Sequence, residues 1–378
     1  MQEKIEALHK NETWELVTLL QGRKPIGNKW VYKIKRNNDE QVERYRARLV
    51  VRDMLRKKAP RYWYKRFDSF TMGLGYNRLD ADSYAYFKRF GEKDFIVLLL
   101  YVDDMLVAGP NKDRIEELKA NLARKFEMKD LEPANKILGI QIHQDRNNRK
   151  IWLSHKNYLK KVLRRFNMQD CKPISTLIPV NFKISSNMSL SSEAERMEMS
   201  QVPRMHWILR YIKGSIDVAL CYEGTDFTVR GYVDFDYAGY LDKSKFTTGY
   251  VFTLANGVVN WVSKLQSVVA MSPTKAEYVA ATQASKEVAW LKMILEKLEH
   301  EHKKISLFCV NQSALYLARN PAFHAKTKHI RVQYHFVHEK VEEGIIDMHK
   351  MHTKENLVDY LTKAVNADKF IWCRSLTT

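Results

Sequence analysis

The stretch FIVLLLYVDDMLVAGP, residues 95–110, places two adjacent carboxylates between two apolar segments. Each segment has the length and composition of a strand, so together they predict a buried hairpin with Asp103 and Asp104 at its tip. Aspartate tolerates turn conformations, which is the ordinary explanation for such a pair. Because these strands are too apolar to face solvent, we prefer the interpretation that the carboxylates bind divalent metal ions.

The charge of the chain indicates a polyanionic partner. The sequence has 63 Lys and Arg residues against 44 Asp and Glu, a net charge of +19. Such a field attracts nucleic acid, because each phosphate contact releases condensed counterions. The cluster LRKKAPRYWYKRF, which contains Arg61, interleaves cations that can hold phosphates with aromatic rings that can stack on bases. A protein that is merely basic is the plainer alternative, and this cluster favours nucleic acid.

Other features of the composition exclude several classes of protein. The four cysteines lie far apart and lack the spacing of a zinc site or a disulfide scaffold. No apolar run approaches the roughly 20 residues of a membrane helix. The first residues, MQEKIEALHKNETWELV, also lack the pattern of a signal peptide. We therefore expect an intracellular protein, cytoplasmic or nuclear, without membrane association; the sequence leaves its oligomeric state unknown.

Patterns in the first half predict two further hairpins and two helices. An alternation of apolar and basic residues around a polar turn, in KWVYKIKRNNDEQVERYRARLVV, predicts a hairpin with one cationic face. A second hairpin is predicted around residues 145–148. An amphipathic helix and a basic helix are predicted in DRIEELKANLARKF and HKNYLKKVLRRF. Periodicity is weak from 174 to 203, so we place a domain boundary there.

The second half predicts a mixed sheet covered by helices. Strands are indicated by TVRGYVDFDYAG, by ISLFCV and by GYVFTLANGVVNWV, which turns at Asn256 and Gly257. Ser272 and Pro273 are typical of a helix N-cap and first turn, and this helix is expected to reach about Leu298. Further elements are predicted at 312–318, 330–343 and 355–363 as helices and at 345–348 as a strand.

Carboxylates in this half are candidate metal ligands. Asp234 and Asp236 alternate with apolar residues and therefore share one face at the end of a strand. Glu277 extends an apolar helix stripe, where a lone carboxylate needs a cation. Asp359 lies in the predicted short helix ENLVDYLTK. Each alone is more simply a solvated or capping acid, and together they form a metal site only if the fold brings them close. The stripe consists of Ala280, Ala284, Val288, Leu291 and Leu295.

The motifs of the chain resemble those of one known family over nearly its whole length. The first half resembles the reverse transcriptase of copia-type long-terminal-repeat retrotransposon Pol polyproteins in YVDDMLVAG, KWVYKIKR, RYRARLV, FEMKDLEPANKILGIQI and KKVLRRFNM. The second half resembles their ribonuclease H in GYVDFDYAGYLDKSKFTTGYVF, NWVSKLQSVVAMSPTKAEYVAA, NQSALYLARNPAFHAKTKHI and ENLVDYLTK. The order and spacing of so many motifs make chance agreement implausible.

The resemblance implies an α+β or α/β architecture in three parts. A reverse transcriptase with truncated palm and fingers would occupy residues 1–173, with a break near 54/55. A linker with a remnant connection region would occupy 174–226, and a ribonuclease H-like mixed sheet with flanking helices 227–372. The activities implied are RNA-directed DNA synthesis and cleavage of RNA in RNA–DNA hybrids, with RNA, DNA and the hybrid as partners.

In the reverse transcriptase, the resemblance implies a metal site and a nucleotide-binding hairpin. Asp103 and Asp104 would bind a pair of Mg²⁺ ions. The basic hairpin would contact the incoming triphosphate or the template through Lys29, Arg46 or Arg48.

In the ribonuclease H, the resemblance implies a second metal site. Asp234, Glu277 and Asp359 would bind two Mg²⁺ ions that direct water onto the RNA strand. His324 and His329 would assist product release or contact a phosphate, with ordinary surface histidines as the alternative.

Departures from the family pattern predict impaired catalysis. Relatives have a long segment between the equivalents of Met54 and Leu55, which includes the first palm aspartate, and another between Pro203 and Arg204. Relatives also have an aspartate where this chain has Val310, and valine supplies no oxygen to a metal ion.

Three present functions are compatible with this ancestry. The first is an active RNA-directed DNA polymerase with ribonuclease H. The second is a degenerate fragment that binds nucleic acid with little or no catalysis. The third is a host protein that has adopted the ribonuclease H fold as a nucleic-acid-binding or interaction module. The departures favour the second.

Overall fold

A computed structural model describes most of the chain, in two compact units, Met1–Pro133 and Ala134–Thr378. The sequence-based limits at 173/174 and 226/227 stay predictions. The described residues are 28–36, 42–51, 59–102, 104–131, 133–177, 203–224, 226–240, 245–266, 272–298, 304–320 and 335–377.

The predicted basic hairpin is confirmed in the first unit. Strands β1 (Asn28–Arg36) and β2 (Val42–Val51) pair antiparallel, with Lys33 opposite Arg46 and Val31 opposite Arg48. Directly opposite residues of an antiparallel pair lie on the same face. The positions of Lys29, Arg46 and Arg48 therefore share one face of the hairpin.

A helix, a four-stranded antiparallel sheet and a second helix follow. The strands are in chain order, β3-β4-β5-β6. The elements are α1 (Ala59–Gly73), β3 (Asn77–Leu79), β4 (Asp82–Arg89), β5 (Phe95–Tyr101), β6 (Asp104–Ala108) and α2 (Lys112–Lys125). The amphipathic helix predicted from its apolar spacing is thus confirmed as α2, and the Asn111 side chain caps it by accepting from the Asp113 N–H. The core joins Phe67 of α1, Leu98 of β5 and Leu122 of α2.

The acidic hairpin is confirmed as β5–β6, but the expectation that it is buried is wrong. One face of β5 is in the core, whereas Leu99, Tyr101 and Val102 are 41%, 57% and 70% exposed. Asp104 is also exposed, opposite Tyr101 in the register. Within the described residues, β6 pairs on one side only. The apolar character of a strand therefore did not predict burial of both its faces.

The second unit begins with a smaller antiparallel sheet. Its strand order is β10-β9-β8-β7, which confirms the hairpin predicted around 145–148 as β8–β9. The basic helix is confirmed as α3. Strand β9 precedes the predicted boundary at 173/174 and β10 follows it. Because these two strands pair, residues from both sides of that boundary contribute to one sheet. The elements are β7 (Lys136–Ile137), β8 (Ile140–Asp145), β9 (Lys150–Ser154), α3 (Lys156–Arg165), α4 (Pro203–Gly214) and β10 (Leu220–Glu223).

The larger sheet has five strands in the order β13-β12-β11-β14-β15. Strands β11 to β13 are antiparallel, while β14 is parallel to β11 and β15 to β14. The strands are β11 (Arg230–Tyr240), β12 (Lys245–Leu254), β13 (Gly257–Leu265), β14 (Ile305–Cys309) and β15 (Ile346–Lys350). The turn between β12 and β13 lies one residue earlier than predicted. Ala255 and Asn256 have the positive φ angles, and Gly257 already begins β13.

Helices flank this sheet, so the predicted mixed sheet covered by helices is confirmed. The helices are α5 (Pro273–Lys297), α6 (Gln312–Arg319), α7 (Phe336–Glu342), a 3₁₀ turn (Thr353–Glu355), α8 (Asp359–Thr362) and α9 (Ala367–Ser375). Ser272 caps α5 as predicted, by accepting from the Lys275 N–H. The helix predicted at 355–363 is shorter, because only 359–362 is α-helical.

The two faces of the sheet bury separate apolar clusters. On one face, Val233 and Phe252 pack with the predicted α5 stripe, which is buried throughout. On the other face, Val251 and Val258 pack with Leu357 and Val358. Strand β11 is therefore covered on both sides. None of the described helices combines the length and the apolar composition that a membrane-spanning helix needs.

Candidate active site

Three predicted carboxylates of the second unit are almost fully buried. Asp234 in β11, Glu277 in α5 and Asp359 at the start of α8 are 3%, 0% and 4% exposed. Removing a carboxylate from water is costly unless cations or N–H and O–H donors compensate it. The partners of these side chains therefore decide what the cluster can do.

Asp234 and Asp359 are joined by the ammonium group of Lys363. Lys363 Nζ lies 2.9 Å from Asp359 Oδ1 and 3.4 Å from Asp234 Oδ2. The Thr362 hydroxyl also donates a hydrogen bond to Asp234 Oδ2. The end of α8 thus supplies one positive charge and one hydroxyl to a pair of buried acids.

Glu277 is held by the backbone at the end of β14. Its Oε1 atom accepts hydrogen bonds from the N–H groups of Val310 and Asn311, at 2.7 and 2.9 Å. Asn311 in turn caps α6, because its side chain accepts from the Ala314 N–H. The other oxygen, Glu277 Oε2, is buried and has no hydrogen-bond partner among the described residues. The lone pairs of Glu277 Oε2 therefore meet no donor in the described part of the chain.

Burial changes the proton affinity of the cluster. It raises the pKa of Glu277 to about 7, although the N–H groups of Asn311 and Val310 lower it, and the charge of Asp234 raises it further. It raises the pKa of Asp234 to about 6, against the opposing effect of Lys363. Burial alone would lower the pKa of Lys363, but the charges of Asp234 and Asp359 raise it overall. The charge on Asp234 therefore affects the pKa of both Glu277 and Lys363.

Asn356, which the sequence analysis did not single out, clamps the backbone beside two of the acids. It is fully buried. Its Nδ2 donates to the carbonyl of Val233 at 3.1 Å, and its Oδ1 accepts from the N–H of Val358 at 3.2 Å. These residues immediately precede Asp234 and Asp359. One amide side chain therefore fixes the backbone next to both.

Gly249 allows α8 to approach the sheet. It lies opposite Asp234 in the β11–β12 register. A Cβ atom at Gly249 would lie 2.5 Å from Thr362 Cγ2 and 2.8 Å from Val358 Cγ1. Contacts this short require a shift of α8 and its flanking residues. An isolated glycine within a strand pattern often marks such a close approach, and TTGYVF carries that signal.

The structure thus brings Asp234 and Asp359 together through Lys363 and couples Glu277 to Asp234. Asp236 lies on the same strand face as Asp234 and is half-buried. In the described part of the chain, no group of three or more His, Cys, Asp or Glu side chains has the arrangement of a metal site. Two-metal Mg²⁺ binding therefore stays a prediction.

The other predicted site residues do not form a common site within the described part of the chain. Asp104 is at the exposed start of β6, and Arg61 is in α1. Lys29 is in β1, and Arg46 and Arg48 are in β2. Asp103, His324 and His329 lie outside the described residues. The roles implied for all of these remain predictions.

The raised pKa of Glu277 predicts a pH-dependent stability. The folded chain binds this proton more tightly than the unfolded chain, so stability should fall as pH rises from about 4.5 to about 7. Glu277→Gln, which stays neutral, should remove up to about 3 kcal/mol of that decline. Urea unfolding in EDTA across this pH range measures it. An equally steep decline in the variant would contradict the prediction.

Comparison with known proteins gives matches among transposon polyproteins. The profile of the family described as reverse transcriptase (RNA-dependent DNA polymerase) matches residues 11–57 and 54–180. The retrovirus-related Pol polyprotein from transposon TNT 1-94 of Nicotiana tabacum is 35% identical over 493 aligned residues, covering 100% of this chain and 37% of the relative. The corresponding polyprotein from transposon RE1 of Arabidopsis thaliana is 29% identical over 83% of this chain and 24% of its own length.

Two further matches differ in kind. An uncharacterized mitochondrial protein of Arabidopsis thaliana is 30% identical over 51% of this chain and 93% of that protein. Among solved structures, RNase H1 from the halophilic archaeon Halobacterium salinarum NRC-1 is 14% identical with a TM-score of 0.26, covering 36% of this chain and 94% of the other. On the matches to Pol polyproteins and the reverse transcriptase profile, this chain belongs to the copia-type retrotransposon Pol polyproteins, of which it is a fragment.

Proposed function

We propose that the chain is a retrotransposon Pol fragment of RNA-directed DNA polymerase and ribonuclease H lineage that acts on RNA–DNA hybrids and is catalytically impaired. The observation that carries this proposal is the buried cluster of Asp234, Glu277 and Asp359. Apolar packing alone does not require three buried acids, whereas acids that bind a divalent cation have a reason to be buried together. The net charge of +19 supports a nucleic-acid substrate.

The chemistry of these side chains fits a divalent cation. The site would consist of Asp234, Glu277 and Asp359, hard oxygen donors of the kind Mg²⁺ prefers, and Glu277 Oε2 has no protein partner among the described residues. When bound, Mg²⁺ would activate water and stabilise charge on the cleaved phosphodiester.

The protein itself positions these groups. Asn356 holds the backbone beside Asp234 and Asp359, and the N–H groups after β14 orient Glu277. A carboxyl with a pKa of about 7 can also accept or release a proton near neutral pH.

Three observations support impairment. Val310 follows β14 beside Glu277 and offers that carboxylate only a backbone N–H. The alignment with the tobacco polyprotein extends over 493 residues, 115 more than the 378 of this chain, which supports missing internal segments. The two profile matches meet at residues 54–57, where the sequence analysis places one break.

Primer extension tests the polymerase half of the proposal. The purified chain, with Mg²⁺, nucleotides and a primed RNA template, should give no DNA synthesis above that of the Asp103→Asn/Asp104→Asn variant. The reason is that the segment carrying the first palm aspartate is missing. Extension that exceeds this control would contradict the proposed impairment.

An interaction module is the second candidate. The observation that favours it is internal compensation, since Lys363, Thr362 and two backbone N–H groups already pair with the buried carboxylates. Such a cluster can be stable without metal. The response of hybrid cleavage to Val310→Asp separates the two candidates, because a pure module would gain no cleavage.

A further inference from the structure

The Lys363 ammonium lies where a cation would bridge two of the carboxylates. Lys363 follows Asp359 by one helical turn and contacts both Asp359 and Asp234, at 2.9 and 3.4 Å. The carboxylates are almost fully buried, whereas the lysine side chain is 33% exposed. The cation is therefore the only partly solvated member of this triad.

We infer that Lys363 is a built-in counter-ion of the cluster and that a divalent cation must displace it to bind Asp234 and Asp359. This inference rests on the proposed function, because it concerns the same carboxylates. It adds that the chain carries its own competitor for the metal ion.

The balance of charge supports this role. Asp234 and Asp359, when both are ionised, keep one net negative charge beside Lys363. A divalent ion in place of the ammonium would balance both carboxylates. Glu277 Oε2, buried and without a hydrogen-bond partner among the described residues, is an independent sign that Lys363 does not complete the cluster.

Displacement of Lys363 is physically reasonable. Its four-carbon stem is flexible and its ammonium group is readily hydrated, so it can move into water at low cost. Lys369 is less suited to the same role. Its Nζ lies farther from the cluster, 3.8 Å from Asp359 Oδ2, and it also donates to the Lys354 carbonyl and lies 4.1 Å from the Trp372 ring centroid.

Direct metal binding tests the inference without any need for catalysis. The full chain, stripped with EDTA, is titrated with Mn²⁺ and free Mn²⁺ is followed by electron paramagnetic resonance. Lys363→Met should bind Mn²⁺ at least about tenfold more tightly than the natural chain, because a positive charge in contact with the ligands is removed. Lys363→Arg should not bind more tightly. Lys340→Met, which removes a lysine of α7 that pairs with Glu339 and Glu343, is the matched control and should leave Mn²⁺ affinity unchanged.

The outcomes separate this inference from the proposed function. Equal Mn²⁺ affinity of Lys363→Met and the natural chain would overturn the role of Lys363 and leave the metal site intact. Absence of Mn²⁺ binding in every variant would overturn the metal site and this inference with it. If Lys363→Met unfolds without metal, recovery of its circular dichroism spectrum on adding Mn²⁺ supports the inference. A chain that stays unfolded in excess Mn²⁺ contradicts it.

Discussion

Replacing Val310 by aspartate is expected to raise Mg²⁺-dependent cleavage of an RNA–DNA hybrid by at least about a hundredfold from a negligible starting level. Position 310 directly follows β14, and its N–H group is 2.7 Å from Glu277 Oε1. A carboxylate there would add a fourth acid beside Glu277. One more anionic ligand stabilises bound metal and the charge that it supports in the transition state, and a few kcal/mol corresponds to this factor.

Val310→Asn is the matched control, because asparagine has nearly the same shape as aspartate but no charge. It should give little cleavage. The aspartate variant should also unfold at a lower temperature in EDTA than in Mg²⁺, since a carboxylate at the half-buried position 310 would repel buried Glu277 without a cation. Cleavage that rises equally in both variants, or in neither, would contradict the proposal that the site lacks a carboxylate at position 310.

Replacing Asn356 by leucine is expected to lower the free energy of unfolding by about 2–4 kcal/mol. The side chain is fully buried and makes two hydrogen bonds to the backbone, at 3.1 and 3.2 Å. Leucine fills the volume but leaves the Val233 carbonyl and the Val358 N–H without these partners, and unpaired buried groups are costly. Urea denaturation in EDTA, which removes any contribution from metal, measures the loss.

Asn366 provides the comparison for this variant. Its side chain caps α9 by accepting from the Lys369 N–H, but it is exposed. Asn366→Leu should therefore cost about 1 kcal/mol, the usual loss of a helix cap. In the Val310→Asp background, Asn356→Leu should also reduce cleavage, because Asp234 and Asp359 lose their common support. A loss no larger than that of Asn366→Leu would show that Asn356 does not hold the cluster.

The sequence predicted those helices and strands that depend on residues close together in the chain. The β1–β2 hairpin follows from alternation, α2 from apolar spacing, and the start of α5 from Ser272 and Pro273. Each depends on residues within one or two turns of the chain, so their periodicity and capping are visible in the sequence. The buried α5 stripe below Glu277 was predicted for the same reason.

Local patterns did not predict which faces of the acidic hairpin are buried. The sequence FIVLLLY predicts a strand, but whether both of its faces are covered depends on elements elsewhere in the chain. Tyr101 and Val102 are exposed because no described element packs over them. An apolar side chain has a high tendency to be buried. Whether it is buried depends on which elements the fold packs against it.

The sequence alone determined the lineage of this protein, its basic character and the three acids of the second unit. Only the tertiary structure decided which groups those acids meet. Asn356 contacts Val233 across 123 positions, and Thr362 contacts Asp234 across 128. Lys363 and Gly249 reach the same place by equally long-range packing. No short-range pattern records such contacts, because they arise where α8 packs against β11 and β12, and the charge balance of the site depends on that packing.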